Sequence, residues 1–170
     1  IFINLEKVAG KKHADLIKPL KKKQKELNEL TVVDYEEVLR IKIETLHQVF
    51  EAQKNDWPDE KDYYHFFEAN KHWLVPYAAF CCLREKHNSA DYTNWKLHSV
   101  YDADIIEKFV SPSLKHHDQI RFHYFVQYHL HLQLKEATSY AHKKGIIVKG
   151  DIPIGIYRYS CDAWMAPELY

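Results

Sequence analysis

The chain has 170 residues, of which 46% are hydrophobic and 14% aromatic, a composition that supplies the core of one ordinary domain. Its 24 Lys and Arg residues balance its 24 Asp and Glu residues, so overall charge argues against a nucleic-acid or anionic-membrane partner. No apolar run approaches the ~20 residues of a membrane-spanning helix, and the three cysteines suggest no disulfide framework. We therefore expect a cytoplasmic protein.

The first part of the chain, residues 1–31, predicts a lead-in segment without chemistry of its own. It opens on IFINL, which is typical of a strand, and continues into a lysine-rich stretch from Lys7 to Leu30. That stretch indicates a solvated helix or a mobile connector, since a nucleic-acid-binding patch would carry interleaved aromatic residues. Because the sequence lacks an initiator Met and ends without a polar tail, we expect a segment of a longer chain.

Residues 32–145 predict a helical subdomain. Asp34 fits an N-cap, and apolar residues at helical spacing extend the first helix to about Lys54. Pro58 then predicts a turn, and a second helix is expected to begin near Asp59.

The second predicted helix carries a stripe of aromatic side chains. Its members are Tyr63, Phe66, Phe67, Trp73, Tyr77 and Phe80. Such a stripe most often belongs to the core, and the alternatives are a sugar-stacking platform and a surface for a partner helix. We expect Pro76 to kink this helix or to start a new helical turn.

Two further helices are predicted before the helical subdomain ends. Residues 102–110, DADIIEKFV, have the pattern of a short helix. A long helix is predicted from Leu114 or Asp118 to Lys144, with Gly145 as its C-terminal stop.

The last part of the chain, residues 146–170, opens on the β-branched run Ile146-Ile147-Val148, which predicts a buried strand. A strand needs neighbours, and only IFINL offers another within this chain, so we expect the missing strands to lie outside it. Asp151 follows the run. Barrel and open α/β enzymes place their sites at such strand ends, but the pattern fits equally an Asp that caps a turn before Pro153.

Histidines, cysteines and glycines give weaker indications of a functional site. Zinc ligands on a helix lie three or four residues apart, and no two of the twelve histidines have that spacing, so we expect no metal site. Cys81 and Cys82 lie in the aromatic helix, where buried thiols behave as small hydrophobic side chains. The four glycines form no phosphate-binding loop, and we expect no cofactor.

The C-terminal sequence KGDIPIGIYRYSCDAWMAPELY resembles the first conserved region of the 4-α-glucanotransferases of glycoside hydrolase family 77. The matching positions are Gly150, Asp151, Pro153, Ile154, Ser160, Asp162, Trp164 and Pro167. Upstream, the helix FFEANKHWLVPYAAFCCLREKH, the pair Asn94-Trp95 and the helix IRFHYFVQYHLHLQLKEATSYAHKKGI are similar to segments of the same family. The resemblance covers about residues 32–170 and points to the branch of the plant cytosolic disproportionating enzyme and its bacterial relatives.

This resemblance implies a (β/α)8 TIM barrel with inserted helical subdomains. The present chain would then be mainly α, with residues 32–145 as a helical insertion and residues 146–170 as one βα element of the barrel. The resemblance also implies retaining transfer of α-1,4-linked glucosyl units from maltose or maltooligosaccharides to an acceptor glycan. The family nucleophile lies in an R-x-D motif that this chain lacks, so we expect no catalytic residue here and no activity of the segment alone.

The resemblance assigns substrate binding to three residues. Asp151 is expected beside the donor sugar, in a supporting role rather than as the attacking group. Trp164 and Ser160 match motif positions and are also expected at the substrate site. The expected partners are the glucan and the remainder of the parent barrel, with no nucleic acid, membrane or metal.

Two features leave the function open at this point. Tyr157 and Tyr159 flank Arg158 where relatives often have more polar residues, so this loop departs from the family pattern. The alternative function is an all-α protein-interaction module whose aromatic stripe binds a partner helix.

Overall fold

The computed structural model describes residues 1–57, 61–151 and 154–170. These residues form eight α-helices and three short 3₁₀ turns, and no strand, so the predicted mainly α composition is confirmed. They group into two compact units, one made of Ile1–Tyr63 and Phe125–Tyr140, the other of Tyr64–Tyr124 and Ala141–Tyr170. Within the described parts of the chain, no helix combines the length and apolar character needed to cross a membrane.

The first unit begins with short helices rather than with a strand. Its N-terminal helices are α1 (Leu5–Ala9), α2 (Ala14–Ile17), α3 (Leu20–Asn28) and α4 (Tyr35–Gln53). The Asn4 Oδ1 accepts a hydrogen bond from the Lys7 N–H at 3.0 Å, which caps α1. The predicted strand at residues 1–5 is therefore wrong, because a local side-chain cap begins a helix at Leu5. The lysine-rich α3 has no buried residue, which favours the solvated-helix interpretation.

Helix α4 follows the sequence prediction closely. The Asp34 Oδ1 accepts from the Glu37 N–H at 3.0 Å, and this confirms the predicted N-cap. Only the second half of the apolar face is buried, at Leu46 and Phe50, whereas Tyr35 and other apolar residues near the start of the helix are exposed.

The two longest helices are α5 (Lys61–His87) and α7 (His117–Lys143). The predicted start of α5 near Asp59 lies outside the described residues. Helix α5 continues through Pro76, so the proline does not end it. In the aromatic stripe, Tyr63, Phe66 and Phe80 are buried and Phe67, Trp73 and Tyr77 are half-buried, which confirms the core interpretation.

The second unit adds α6 (Ala103–Phe109) and α8 (Cys161–Met165) to its parts of α5 and α7. The Asp102 Oδ1 accepts from the Ile105 N–H at 2.9 Å, which caps the predicted short helix α6. The 3₁₀ turns are Tyr92–Asn94, Lys96–His98 and Pro167–Leu169. The largest fully buried side chains of this unit are Trp95, Trp164, Leu74, Leu83, Ile106 and Ile120.

Helix α7 ends at the glycine that the sequence indicated. Gly145 has φ +73°, and its N–H donates to the His142 carbonyl at 2.9 Å while the Ile146 N–H donates to Ala141 at 3.0 Å. This pair of bonds is the Schellman motif, in which a left-handed glycine satisfies the last carbonyls of a helix.

Ile146, Ile147 and Val148 form no strand, so the predicted strand is wrong for this chain. Ile147 is 89% exposed, and both neighbours in the run are also exposed. A β-branched run becomes a strand only when other strands pair with its backbone groups. The described residues contain no such partner. The predicted division at residues 31 and 145 stays a prediction.

Candidate functional site

The C-terminal helix α8 begins at a serine cap. The Ser160 Oγ accepts a hydrogen bond from the Ala163 N–H at 3.2 Å, and the Ser160 carbonyl accepts from the Trp164 N–H at 3.1 Å. The Ser160 N–H donates to the Tyr157 carbonyl at 3.0 Å and closes a turn before the helix. The sequence SCDAW therefore folds locally into one capped helical turn, which sets the direction of the Trp164 side chain.

Trp164 lies at the centre of an aromatic cluster in the second unit. Its side chain is 1% exposed, and its Nε1–H donates to the His98 carbonyl at 2.9 Å. Its ring makes edge contacts with Trp95 at 5.9 Å and with Tyr101 at 5.1 Å between centroids, and the Phe80 ring lies 5.7 Å away. The apolar ring therefore packs against other aromatic rings, and the polar indole N–H has a hydrogen-bond acceptor inside the protein.

The Asn94-Trp95 pair belongs to the same cluster through the Trp95 ring. Trp95 is as deeply buried as Trp164. The Asn94 Nδ2 donates to the Asp91 carboxylate at 2.8 Å, which fixes the turn that carries Trp95. The neighbouring Tyr92 hydroxyl donates to the Ala163 carbonyl at 3.3 Å and ties this turn to α8.

The structure therefore brings together two motifs that are distant in the sequence. Trp164 packs in the aromatic cluster and Ser160 caps α8, so both residues stabilise the fold. Contact of either residue with a substrate stays a prediction. Periodicity does not predict the Trp95–Trp164 pairing, because the two residues lie in short segments that are far apart in the sequence. The available signal was that both belong to motifs of the same family.

Asp151 lies outside the helices, in the exposed stretch that follows Gly145. Burial does not restrict access of a ligand to this residue. Pro153, another motif position, lies outside the described residues. The substrate-binding function of Asp151 stays a prediction.

Three side chains just before α8 form a feature that the sequence indicated only as a departure from the family pattern. We call Tyr157, Arg158 and Tyr159 the tyrosine ridge. The two tyrosine rings lie 5.8 Å apart between centroids at 79°, and the Arg158 Cζ lies 5.8 Å from the Tyr159 ring centroid. The Tyr92 ring meets Tyr159 edge-on at 6.3 Å. Tyr157 is 67% exposed.

The cysteines have the properties of packed thiols. Burial raises the pKa of Cys81, and raises the pKa of Cys82 to about 11 and of Cys161 to about 12. The Cys161 Sγ donates to the Met165 Sδ at 3.7 Å. All three thiols are free and remain protonated near neutral pH, which disfavours a thiolate nucleophile.

Two histidines of α7, His123 and His129, contact neighbouring side chains. In the second unit, the His123 Nε2 lies 3.5 Å from the Glu85 Oε1. In the first unit, the His129 ring packs edge-on against Phe125 at 4.4 Å, and burial lowers the pKa of His129 to about 4. Nowhere in residues 1–57, 61–151 and 154–170 do three His, Cys, Asp or Glu side chains group in a way that could hold a metal ion.

Comparisons with known proteins cover the whole chain. A protein-family model described as 4-alpha-glucanotransferase matches residues 1–170. A curated protein of Oryza sativa subsp. japonica, 4-alpha-glucanotransferase DPE2, is 36% identical over 170 residues, which are 100% of this chain and 18% of that protein. The 4-alpha-glucanotransferase of Chlamydia muridarum (strain MoPn / Nigg) is 30% identical over 171 residues, covering 100% of this chain and 32% of that protein.

A third relative matches a shorter region. The 4-alpha-glucanotransferase of Clostridium butyricum is 34% identical over 113 residues, covering 66% of this chain and 23% of that protein. The chain thus spans less than a third of the length of each of these curated relatives. No solved structure matched the chain.

Proposed function

The chain belongs to the 4-alpha-glucanotransferase family, glycoside hydrolase family 77, and on this premise we propose that it forms part of an enzyme that transfers α-1,4-linked glucosyl units between glucans. The observation that carries the proposal is the family match over residues 1–170. The resemblance found in the sequence is confirmed, and the similarity to a plant enzyme agrees with the predicted branch.

The proposed donors are maltose or maltooligosaccharides, and the proposed acceptor is another glycan. Retention of configuration requires a nucleophile and an acid/base group whose carboxyl groups lie about 5 to 5.5 Å apart. The chain lacks the R-x-D motif expected to contain the nucleophile. We place that catalytic pair in the remainder of a (β/α)8 barrel and expect the 170-residue segment alone to be inactive. The mainly helical fold supports its assignment as a helical insertion with one adjoining barrel element.

Within this enzyme, we assign the substrate contact first to Asp151. An exposed carboxylate accepts hydrogen bonds from sugar hydroxyls without the large cost of desolvating a buried charge. Ser160 and Trp164 complete the proposed set of substrate-binding residues. Their cap and their packing support a further function, in which they fix the turn and helix that follow Asp151.

The remaining proposals concern location and partners. Three free cysteines fit a reducing compartment, and we propose a cytoplasmic enzyme that works without a cofactor. The all-α interaction module is not favoured, because every member of the aromatic stripe that would bind a partner helix is buried or half-buried.

The test is a transfer assay on the full-length enzyme that contains this chain. Incubation with maltotriose should give glucose together with longer maltooligosaccharides, and proton NMR of the new linkages should show the α configuration. The 170-residue segment, assayed in parallel, should give no products. Hydrolysis without longer products, or no reaction of the full-length enzyme, would contradict the proposed transfer; turnover by the segment would contradict the placement of the catalytic pair.

A further inference from the structure

One ring of the tyrosine ridge lies in solvent, although the ridge adjoins the buried aromatic cluster of the second unit. Trp164, seven residues further along the chain, is 1% exposed, whereas Tyr157 is 67% exposed. A single exposed aromatic residue is common on protein surfaces. Here two tyrosine rings contact each other and a guanidinium group lies within 5.8 Å of one of them. The result is a surface with apolar faces and several hydrogen-bond donors.

The ridge is also held in place by the fold. The Ser160 N–H donates to the Tyr157 carbonyl and closes the turn that carries all three residues. Tyr159 packs edge-on against Tyr92, whose hydroxyl is hydrogen-bonded to the Ala163 carbonyl of α8. A surface that is fixed before binding loses less conformational entropy when a ligand arrives.

We propose that the tyrosine ridge is a sugar-binding surface, in which the Tyr157 ring stacks on the apolar face of a glucosyl unit and the Arg158 guanidinium donates to its hydroxyls. This inference rests on the proposed function, since it takes the ligand to be the glucan. A pyranose ring offers C–H groups on its faces and hydroxyls around its edge. An aromatic ring beside a guanidinium with five N–H donors matches both.

The ridge contributes to binding rather than to the chemical step. Stacking at a sugar remote from the bond that breaks is equally strong in the ground state and in the transition state. Removal of such an interaction raises KM and leaves kcat nearly unchanged. This kinetic signature separates the proposed binding residue from one that only maintains the fold.

The experiment measures maltotriose disproportionation by the full-length enzyme and its variants. Tyr157→Ala should raise the KM for maltotriose about five- to tenfold with kcat within about twofold, given the usual strength of contacts to an aromatic ring. Tyr157→Phe keeps the ring and should retain the wild-type KM. Tyr35→Ala is the matched control, because Tyr35 is 61% exposed on α4 and belongs to no proposed site. Thermal unfolding of each variant verifies that it is folded.

Four results would overturn the proposed sugar-binding surface, each for a different reason. An unchanged KM in a folded Tyr157→Ala variant would overturn the sugar-binding surface while leaving the proposed transfer activity intact. An equal rise in KM for Tyr157→Phe and Tyr157→Ala would overturn ring stacking, and an equal rise for Tyr35→Ala would show a nonspecific surface effect and overturn the assignment. A wild-type enzyme without transfer activity would remove the proposed function and this inference together.

Discussion

Two neighbouring stretches of the C-terminal region match the same family pattern but have opposite physical properties. Residues 144–151 are exposed throughout, form neither helix nor strand, and end in the motif residue Asp151. Residues 160–165 form a capped helical turn whose motif residue Trp164 is completely buried. Agreement with a family motif can therefore reflect packing at one position and an accessible side chain at another.

The largest expected effect comes from the packed stretch. Trp164→Ala should lower the free energy of unfolding by about 3–5 kcal/mol, because it leaves a large cavity and removes the donor to the His98 carbonyl. Chemical denaturation of the 170-residue chain measures this change. Trp164→Phe should cost less, since most of the ring contacts remain.

The matched control lies in the exposed stretch. Val148→Ala should change the free energy of unfolding by no more than about 0.5 kcal/mol, because Val148 is exposed. A loss comparable to that of Trp164→Ala would show that the exposed stretch is packed as well, and the contrast between the two stretches would disappear.

Thiol labelling gives an intermediate effect. A cysteine introduced by Lys149→Cys is exposed and should have an ordinary pKa near 8.5, whereas burial raises the pKa of Cys161 to about 12. At pH 8 the introduced thiol should react with a disulfide reagent about fiftyfold faster, after allowing for the higher intrinsic reactivity of the more basic thiolate. Reaction of the native thiols should keep accelerating as pH rises above 9, because the thiolate fraction grows until pH approaches the pKa.

The number of rapidly reacting thiols tests whether the native cysteines are buried. One rapidly reacting thiol should be counted in Lys149→Cys and none in the wild-type chain. A native thiol that reacts as fast as the introduced one, and is lost in Cys161→Ser, would show that α8 is not packed as described.

The serine cap of α8 should make a small contribution to stability. Ser160→Ala should lower the free energy of unfolding by about 1 kcal/mol, because the Ala163 N–H loses its acceptor. Ser160→Asp should retain most of the stability, since a carboxylate also accepts this bond. If the alanine and aspartate variants are equally destabilised in denaturant titrations, the cap is not what makes Ser160 important to α8.

Much of the helical framework could be predicted because its signals are local. Asp34 caps α4, Asp102 caps α6, and Gly145 ends α7 through a left-handed conformation. Each of these depends on side chains and backbone groups within about one helical turn. The buried aromatic stripe of α5 also followed from spacing alone.

The two wrong strand predictions share a different cause. Ile146-Ile147-Val148 and the opening IFINL have strand-forming composition, but a strand is defined by pairing with other strands, and composition does not supply a partner. At Asn4 a local cap prevailed and a helix formed. The Trp95–Trp164 contact could not be predicted either, because periodicity indicates which residues share a face of one helix and not which distant segments touch.

For the candidate site, the sequence identified motif residues but not their physical functions. Resemblance grouped Asp151, Ser160 and Trp164 as one set, and only the structure separates an exposed carboxylate from a helix cap and a core ring. The tyrosine ridge was visible in the sequence as a departure from the family pattern. Its ring contacts required the fold.

Asp151 is proposed to contact the substrate without being needed for the fold, and transfer activity measured together with the unfolding midpoint tests this proposal. In the full-length enzyme, Asp151→Ala should reduce maltotriose transfer at least about a hundredfold, as expected for loss of a polar contact at the reacting sugar, while the unfolding midpoint stays near that of the wild type. Near-normal transfer, or a loss of transfer fully explained by unfolding, would contradict the proposed contact between Asp151 and the substrate.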